Sequence, residues 1–338
     1  MTRRPGLTMT EALVAIFITA IGLVGVMSMF PFGAKQMSDA LIADRSTSLA
    51  NSIDGLVRSY WREKVADDTN MLGSGEPFYT AMDSPGTHPA SPIGTGATLP
   101  TISSSSTEPS YPVFLDPMGV LGRTTANNQW VGDITTPTSL TYVPRRNMNV
   151  VGSPSQALRL FSQPDGFAWD EESRPKMNYD AKGQPTSSSE MRELRYNALA
   201  VLQRPVNSAR NNATLKIVVF INRRHQFYPQ GSEAVFPNAT SSATISFLPT
   251  STAIRISTAA DIRKGSWIMD ATIDGTVRHA NFYRVVSATD DGTGFYDVEL
   301  HTPIKRVDGG TNAYNATVVI MPGVADVFDR PALNGNTN

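Results

Sequence analysis

One carboxylate stands at the mouth of a long apolar run. From Ala12 to Ala34, directly after Glu11, there is no Asp, Glu, Lys or Arg. A run of this length crosses a hydrocarbon core of about 30 Å at about 1.5 Å per residue. An acid beside it is costly, about 2.5–3.5 kcal/mol at the centre of a membrane helix and less near an end. The chemistry of Glu11 is therefore that of an anion in need of a cation or a hydrogen-bond donor. Ahead of it lies Arg3-Arg4-Pro5-Gly6-Leu7, a short basic leader that ends in glycine.

Other constellations are thin. His88, His225, His279 and His301 form no His-x-x-x-His or His-Glu-x-x-His pair, so a zinc-hydrolase motif is missing. They read as solvated or core-edge histidines. There is no Gly-x-Ser-x-Gly elbow and no phosphate-cradling glycine loop with lysine. Asp170-Glu171-Glu172 and Asp290-Asp291 lack the alternating spacing of a calcium loop and read as solvated turns. Arg223-Arg224-His225-Gln226-Phe227-Tyr228 mixes cations with aromatics. Single-stranded nucleic acid suits such a mixture, which makes Arg223 and Arg224 candidate contacts. A strand end capped by charges is the simpler reading. The expectation is a chain that is not an enzyme and holds no cofactor or metal.

The N-terminus resembles the type IV pilin and pseudopilin family. The family pattern is a short basic leader, a Gly, a cleavage point, and an acid at the fifth position of the mature chain. Here Gly6 precedes the cut, Leu7 becomes the first residue, and Glu11 falls fifth. The family usually starts with Phe, so Leu7 is a mild departure. The resemblance implies that a prepilin peptidase cleaves between Gly6 and Leu7 and methylates the Leu7 amine. It implies that Glu11 pairs with the Leu7 amine of a neighbouring subunit at an inner-membrane assembly platform. Glu11-Ala12-Leu13-Val14-Ala15 and Ile21-Gly22-Leu23 are similar to the PilV-like minor pilins in particular.

Two plainer readings compete. A secretory signal peptide has an apolar stretch of about 7–15 residues and a small-x-small site. This run is longer, and Met29-Phe30-Pro31-Phe32 is a poor site. An uncleaved anchor shares the topology but gives no reason for Gly6 or Glu11. Arg3 and Arg4 place the N-terminus in the cytoplasm and the remainder across the inner membrane.

These residues must be positioned by a helix. Beyond Gly33, residues Met37, Leu41, Leu49, Ile53, Leu56, Val57 and Tyr60 recur at helical spacing. We expect a helix over 7–68, transmembrane over 7–34 and amphipathic over 35–68. Gly22 and Gly25 each cost about 1 kcal/mol relative to Ala. Pro31 removes the hydrogen bond to the Met27 carbonyl. These three positions should soften the helix. In the resembling family the first half of the helix packs in a filament core and the second half lies against a sheet.

The 338 residues carry a net charge of −1, which argues against bulk binding of nucleic acid or anionic lipid. Cysteine is absent, so no disulfide can brace the head. Residues 69–112 are rich in Gly, Ser, Thr and Pro and read as a linker, loop-like or partly disordered. The expected fold class is α+β: the long helix followed by a β-rich head, an antiparallel sheet plus a small barrel or sandwich. The head is expected to hold a pilin-like part, 113–239, and a second β-rich stretch, 240–330, either a module of its own or the completion of one sheet, with a tail at 331–338. A hairpin is clear at its centre. Tyr196, Ala198, Ala200 and Leu202 alternate on one face, as do Leu215, Ile217, Val219 and Ile221. This pair is the candidate sheet for docking the amphipathic half-helix.

Two functions are therefore expected to compete. The first is a structural minor pilin or pseudopilin, assembled with other such subunits into a type IV pilus or a type II secretion pseudopilus. The second is a periplasmic binding or enzymatic β-domain that uses the helix as a tether.

Overall fold

The structure, a computed structural model, describes residues 8–64, 81–86, 99–102, 107–119, 130–132, 140–148, 154–163, 195–209, 211–223, 233–237 and 243–334. The chain divides into two compact units, Met1–Arg45 and Ser46–Asn338. Helix α1 (Met9–Lys64) begins in the first and ends in the second. Of the expected span 7–68, residues 7 and 65–68 lie outside the described residues.

In the first unit α1 is an apolar rod. Leu13, Phe17, Val24 and Phe30 are 59–72% exposed. Its polar side chains turn inward to the helix backbone: Thr19 Oγ1 donates to the Ala15 carbonyl at 2.7 Å and Ser28 Oγ to the Gly25 carbonyl at 2.7 Å. A nonaqueous medium requires that kind of internal satisfaction. The helix is unbroken through Gly22, Gly25 and Pro31. Its mean hydropathy reaches 2.5, and it is long and apolar enough to cross a membrane, as a single-pass anchor would be.

The second unit is β-rich. Its strands are β1 (Val113–Leu115), β2 (Trp130–Gly132), β3 (Leu140–Arg146), β4 (Tyr196–Gln203) and β5 (Ala213–Ile221). Helix α2 (Pro154–Phe161) precedes β4. Then come β6 (Ala234–Phe236), β7 (Ile245–Phe247), β8 (Ala253–Ser257), β9 (Trp267–Asp270), β10 (Ile273–Asp274) and β11 (Val277–Arg278). The last are β12 (Asn281–Asp290), β13 (Phe295–Leu300), β14 (Tyr314–Ala316), β15 (Val318–Ile320) and β16 (Val324–Leu333). The first sheet has the order β16-β5-β4-β1-β3-β2, and only its β1–β3 pair is parallel. The second sheet has the order β6-β15-β9-β12-β13-β8.

The layers follow from alternation along β4 and β5. One face carries Tyr196, Ala198, Ala200, Leu202, Leu215, Ile217 and Val219, and it buries Leu49, Ile53, Val57 and Trp61 of α1. Spacing of four places those helix residues on one stripe. The other face carries Leu199, Val201, Val218 and Phe220, which meet Val235, Met269 and Val319 of the second sheet. The head is thus a sandwich with the half-helix on its outer side. Polar ties reinforce the helix: Trp61 Nε1 donates to the Asn211 carbonyl at 3.0 Å, and Arg330 Nη2 to Asn51 Oδ1 at 2.8 Å.

Three expectations need correction. The two modules do not divide at 240, because β6 joins the second sheet and β16 returns to the edge of the first. Residues 331–333 end that strand rather than beginning a tail. Parts of the expected linker are packed: Met82, Leu99, Ile102 and Tyr111 are at most 4% exposed. Asp83 Oδ1 pairs with Arg204 Nη1 at 2.6 Å. These plugs are too widely spaced to leave a period in the sequence.

Candidate functional site

Gly6 and Leu7 lie outside the described residues. Glu11 sits in the first turn of α1, and its carboxylate is engaged within its own chain. The Thr8 backbone N–H donates to Glu11 Oε2 at 2.9 Å, and Thr8 Oγ1 donates to the same atom at 3.0 Å. The Glu11 N–H reaches back to Thr8 Oγ1 at 3.4 Å. Thr8 precedes the first helical residue and Glu11 is third within the helix, which is the geometry of a capping box. The Thr-x-x-Glu signature of this box, Thr8 to Glu11, is legible in the sequence. It gives Glu11 a local task that needs no second molecule.

Arg223 is not a surface cation. It is 3% exposed and held in a buried quartet with Asp116, Arg145 and Glu233. Arg223 Nη1 donates to Asp116 Oδ1 at 3.0 Å and Nη2 to Asp116 Oδ2 at 2.5 Å. Arg145 Nε lies 3.0 Å from Asp116 Oδ2, and Arg145 Nη2 donates to Glu233 Oε1. Burial by itself would raise the Asp116 and Glu233 carboxyls, but the two guanidiniums more than offset it and both are lowered. The quartet carries no net charge. Its guanidinium is committed to carboxylates, so a contact from Arg223 to a nucleic-acid phosphate is excluded on geometry. Arg224 lies outside the described residues.

A second buried cluster surrounds Asp270. Tyr314 Oη donates to Asp270 Oδ2 at 2.7 Å, Thr272 Oγ1 to Oδ1 at 2.5 Å, and His279 Nδ1 lies 3.3 Å from Oδ2. The His279 and Tyr314 rings stack at 4.7 Å. Burial pushes Asp270 and Tyr314 up and His279 down. An Asp–His pair can serve general base chemistry, but a substrate must reach it. Both residues are 0% exposed, and the cluster is a structural knot.

The remaining candidates resolve simply. His301 is exposed, while His88, His225 and Asp170 to Glu172 lie outside the described residues. Asp291 closes its own turn, accepting from the Thr293 and Phe295 N–H groups at 2.8 and 3.2 Å, and it pairs with Arg255. Among the described residues no three His, Cys, Asp or Glu side chains converge as metal ligands.

No family model matches the chain, and no curated protein matches it. Among solved structures, the phage phi92 endosialidase aligns over 40% of this chain and 18% of that one, at 8% identity and a TM-score of 0.17. A likeness that slight carries no argument about fold or activity.

Proposed function

We propose that this chain is a structural subunit of the pilin or pseudopilin kind, cleaved after Gly6 by a prepilin peptidase and assembled through its N-terminal helix. One observation carries the reading. Within the single helix α1, the side chains from Leu13 to Leu41 are uncovered, whereas Leu49, Ile53, Val57 and Trp61 are buried against the antiparallel β4–β5 pair. An uncovered apolar rod needs lipid or copies of itself, and the acid at its start gives such copies something to pair. On this reading the helix enters the inner membrane with Arg3 and Arg4 in the cytoplasm and the head outside.

The capping box favours a second reading, in which α1 is a tether for a periplasmic binding domain and Glu11 merely starts the helix. Two measurements separate them. Intact-mass analysis of the protein from cells that hold a prepilin peptidase is expected to find the six-residue leader gone and Leu7 methylated. Retention of Arg3 and Arg4 supports the tether. Glu11→Gln keeps the capping box, which accepts Gln as well as Glu, but removes the charge. If Glu11 pairs with an amine, Glu11→Gln and Glu11→Ala both abolish filament incorporation. If Glu11 only caps, Glu11→Gln behaves as wild type.

A further inference from the structure

A cleft of about 210 Å³ opens at the rim of the sandwich, where the inter-sheet core meets solvent. It is lined on one side by Lys216 of β5 with Val327 and Asp329 of β16. Trp267 of β9 and Phe282 and Arg284 of β12 line the other side, and the segment from His301 to Lys305 forms the mouth. The composition is unlike the core beside it: the cationic side chains Lys216, Arg284 and Lys305 and the aromatic rings Trp267, Phe282 and Tyr283 meet one carboxylate.

The walls are fixed. Lys305 N–H donates to Tyr283 Oη at 2.9 Å, Asn281 Nδ2 donates to the Lys305 carbonyl at 3.1 Å, and His301 N–H donates to the Arg284 carbonyl at 2.8 Å. These bonds lace the mouth segment to β12. On the opposite wall the Lys216 ammonium donates to the Ala280 carbonyl at 3.1 Å and stands 5.8 Å from the centre of the Phe282 ring. Asp329 lies 3.8 Å from it, beyond hydrogen-bond range, and is 83% exposed. Lys216 therefore keeps donors for a ligand, and Asp329 can swing aside. Burial together with the neighbouring Lys305 charge lowers the Lys216 pKa against the pull of Asp329, so an added anion relieves the site.

We propose that the cleft binds one ring of an acidic sugar, a pyranose bearing a carboxylate. The carboxylate pairs with Lys216 and Lys305, while the ring's C–H face lies on the Trp267 and Phe282 rings. Asp329 and Thr302 at the mouth meet its hydroxyls. The volume equals about seven waters at ~30 Å³ each, room for one ring rather than for a drug-sized ligand. A polyanion such as single-stranded DNA would bring further phosphates against Asp329 at the mouth. Sugar hydroxyls instead donate to that carboxylate. The proposal holds whether the chain assembles or is tethered.

The test uses the full chain in detergent micelles, with glucuronate as the probe and ligand-observed NMR as the readout. A ligand of about a dozen non-hydrogen atoms at ordinary efficiency gives a dissociation constant on the order of 1 mM. Glucose, inorganic phosphate, benzoate and oligo-dT are each expected to bind at least about tenfold more weakly. Lys305→Gln, on the exposed mouth, and Lys216→Met are each expected to weaken glucuronate by about tenfold, with circular dichroism checking the fold. Because Lys305 lies outside the core, its variant keeps the test valid even if Lys216→Met misfolds. An oligosaccharide of neutral sugars ending in one glucuronate that binds more tightly than the monomer points to a polysaccharide as the source, and an equal affinity points to the free sugar. The proposal is overturned if glucuronate fails to bind, if Lys305→Gln leaves its affinity unchanged, or if any control binds as well.

Discussion

Asp116 and Asp270 are both fully buried aspartates, and their neighbours give them opposite chemistry. Burial pushes both up; at Asp116 two guanidiniums more than offset it and the carboxyl is lowered, whereas at Asp270 the imidazole and hydroxyls offset it only in part and the carboxyl is raised. Asp116→Asn leaves two buried guanidiniums against Glu233 alone, and it should cost about 3–5 kcal/mol. Asp270→Asn keeps the shape and most of the hydrogen bonds, and it should change stability by about 1 kcal/mol or less. Urea midpoints at pH 7 check both. Gly119→Ala should cost about 1–3 kcal/mol by overpacking, since a Cβ there would stand 2.6 Å from Asp116 Cγ and 2.7 Å from Arg145 Cδ. The quartet also fixes an acid limit. Its carboxyls titrate lower in the folded chain than in the unfolded one. Their contribution is complete above the unfolded values, about 4, and is lost as pH falls through the lower folded values. Unfolding followed by circular dichroism should begin below about pH 4, and added salt should shift it little because the pairs are dry.

The two halves of α1 face different surroundings and should respond differently to truncation of a side chain. Ile53 is buried against the β4–β5 hairpin. Ile53→Ala should destabilise the head by about 2–5 kcal/mol, while Leu13→Ala, on the uncovered part, should change it by less than about 0.5 kcal/mol. The helix, the hairpin and their contact were legible because each has a strong period over many residues. β16 was not. Its sequence, VADVFDRPAL, lacks clean alternation and contains Pro331. It is nonetheless a strand because it lies at a sheet edge, where proline and charge are tolerated. Residues 273–278 form a tight β10–β11 hairpin, turned at Gly275 with φ +61°. The buried acids were equally hidden: Asp116 and Glu233 lie more than a hundred residues apart, and no local spacing joins them. The cleft was hidden for the same reason, since its cations come from β5, β12 and the segment after β13.

For the molecule as a whole, the C-terminal strand is a keystone. β16 pairs with β5 from Val324 to Leu333 and sits beside α1, where Arg58 Nη2 donates to the Pro331 carbonyl at 2.5 Å. A chain ending at residue 323 should leave β5 as a bare edge and expose Val218 and Ile217. It should bind a hydrophobic dye and lose a cooperative urea transition, whereas removal of residues 335–338 should leave the transition in place. The timing of synthesis gives this arrangement a further meaning. The first sheet cannot close until the ribosome has made residue 333, so β5 must wait for a partner strand that begins only at Val324. A polypeptide that must be threaded through a narrow conduit benefits from such a delay. On the proposed reading, in which the head is exported, the late-arriving strand is a clasp that shuts only after passage.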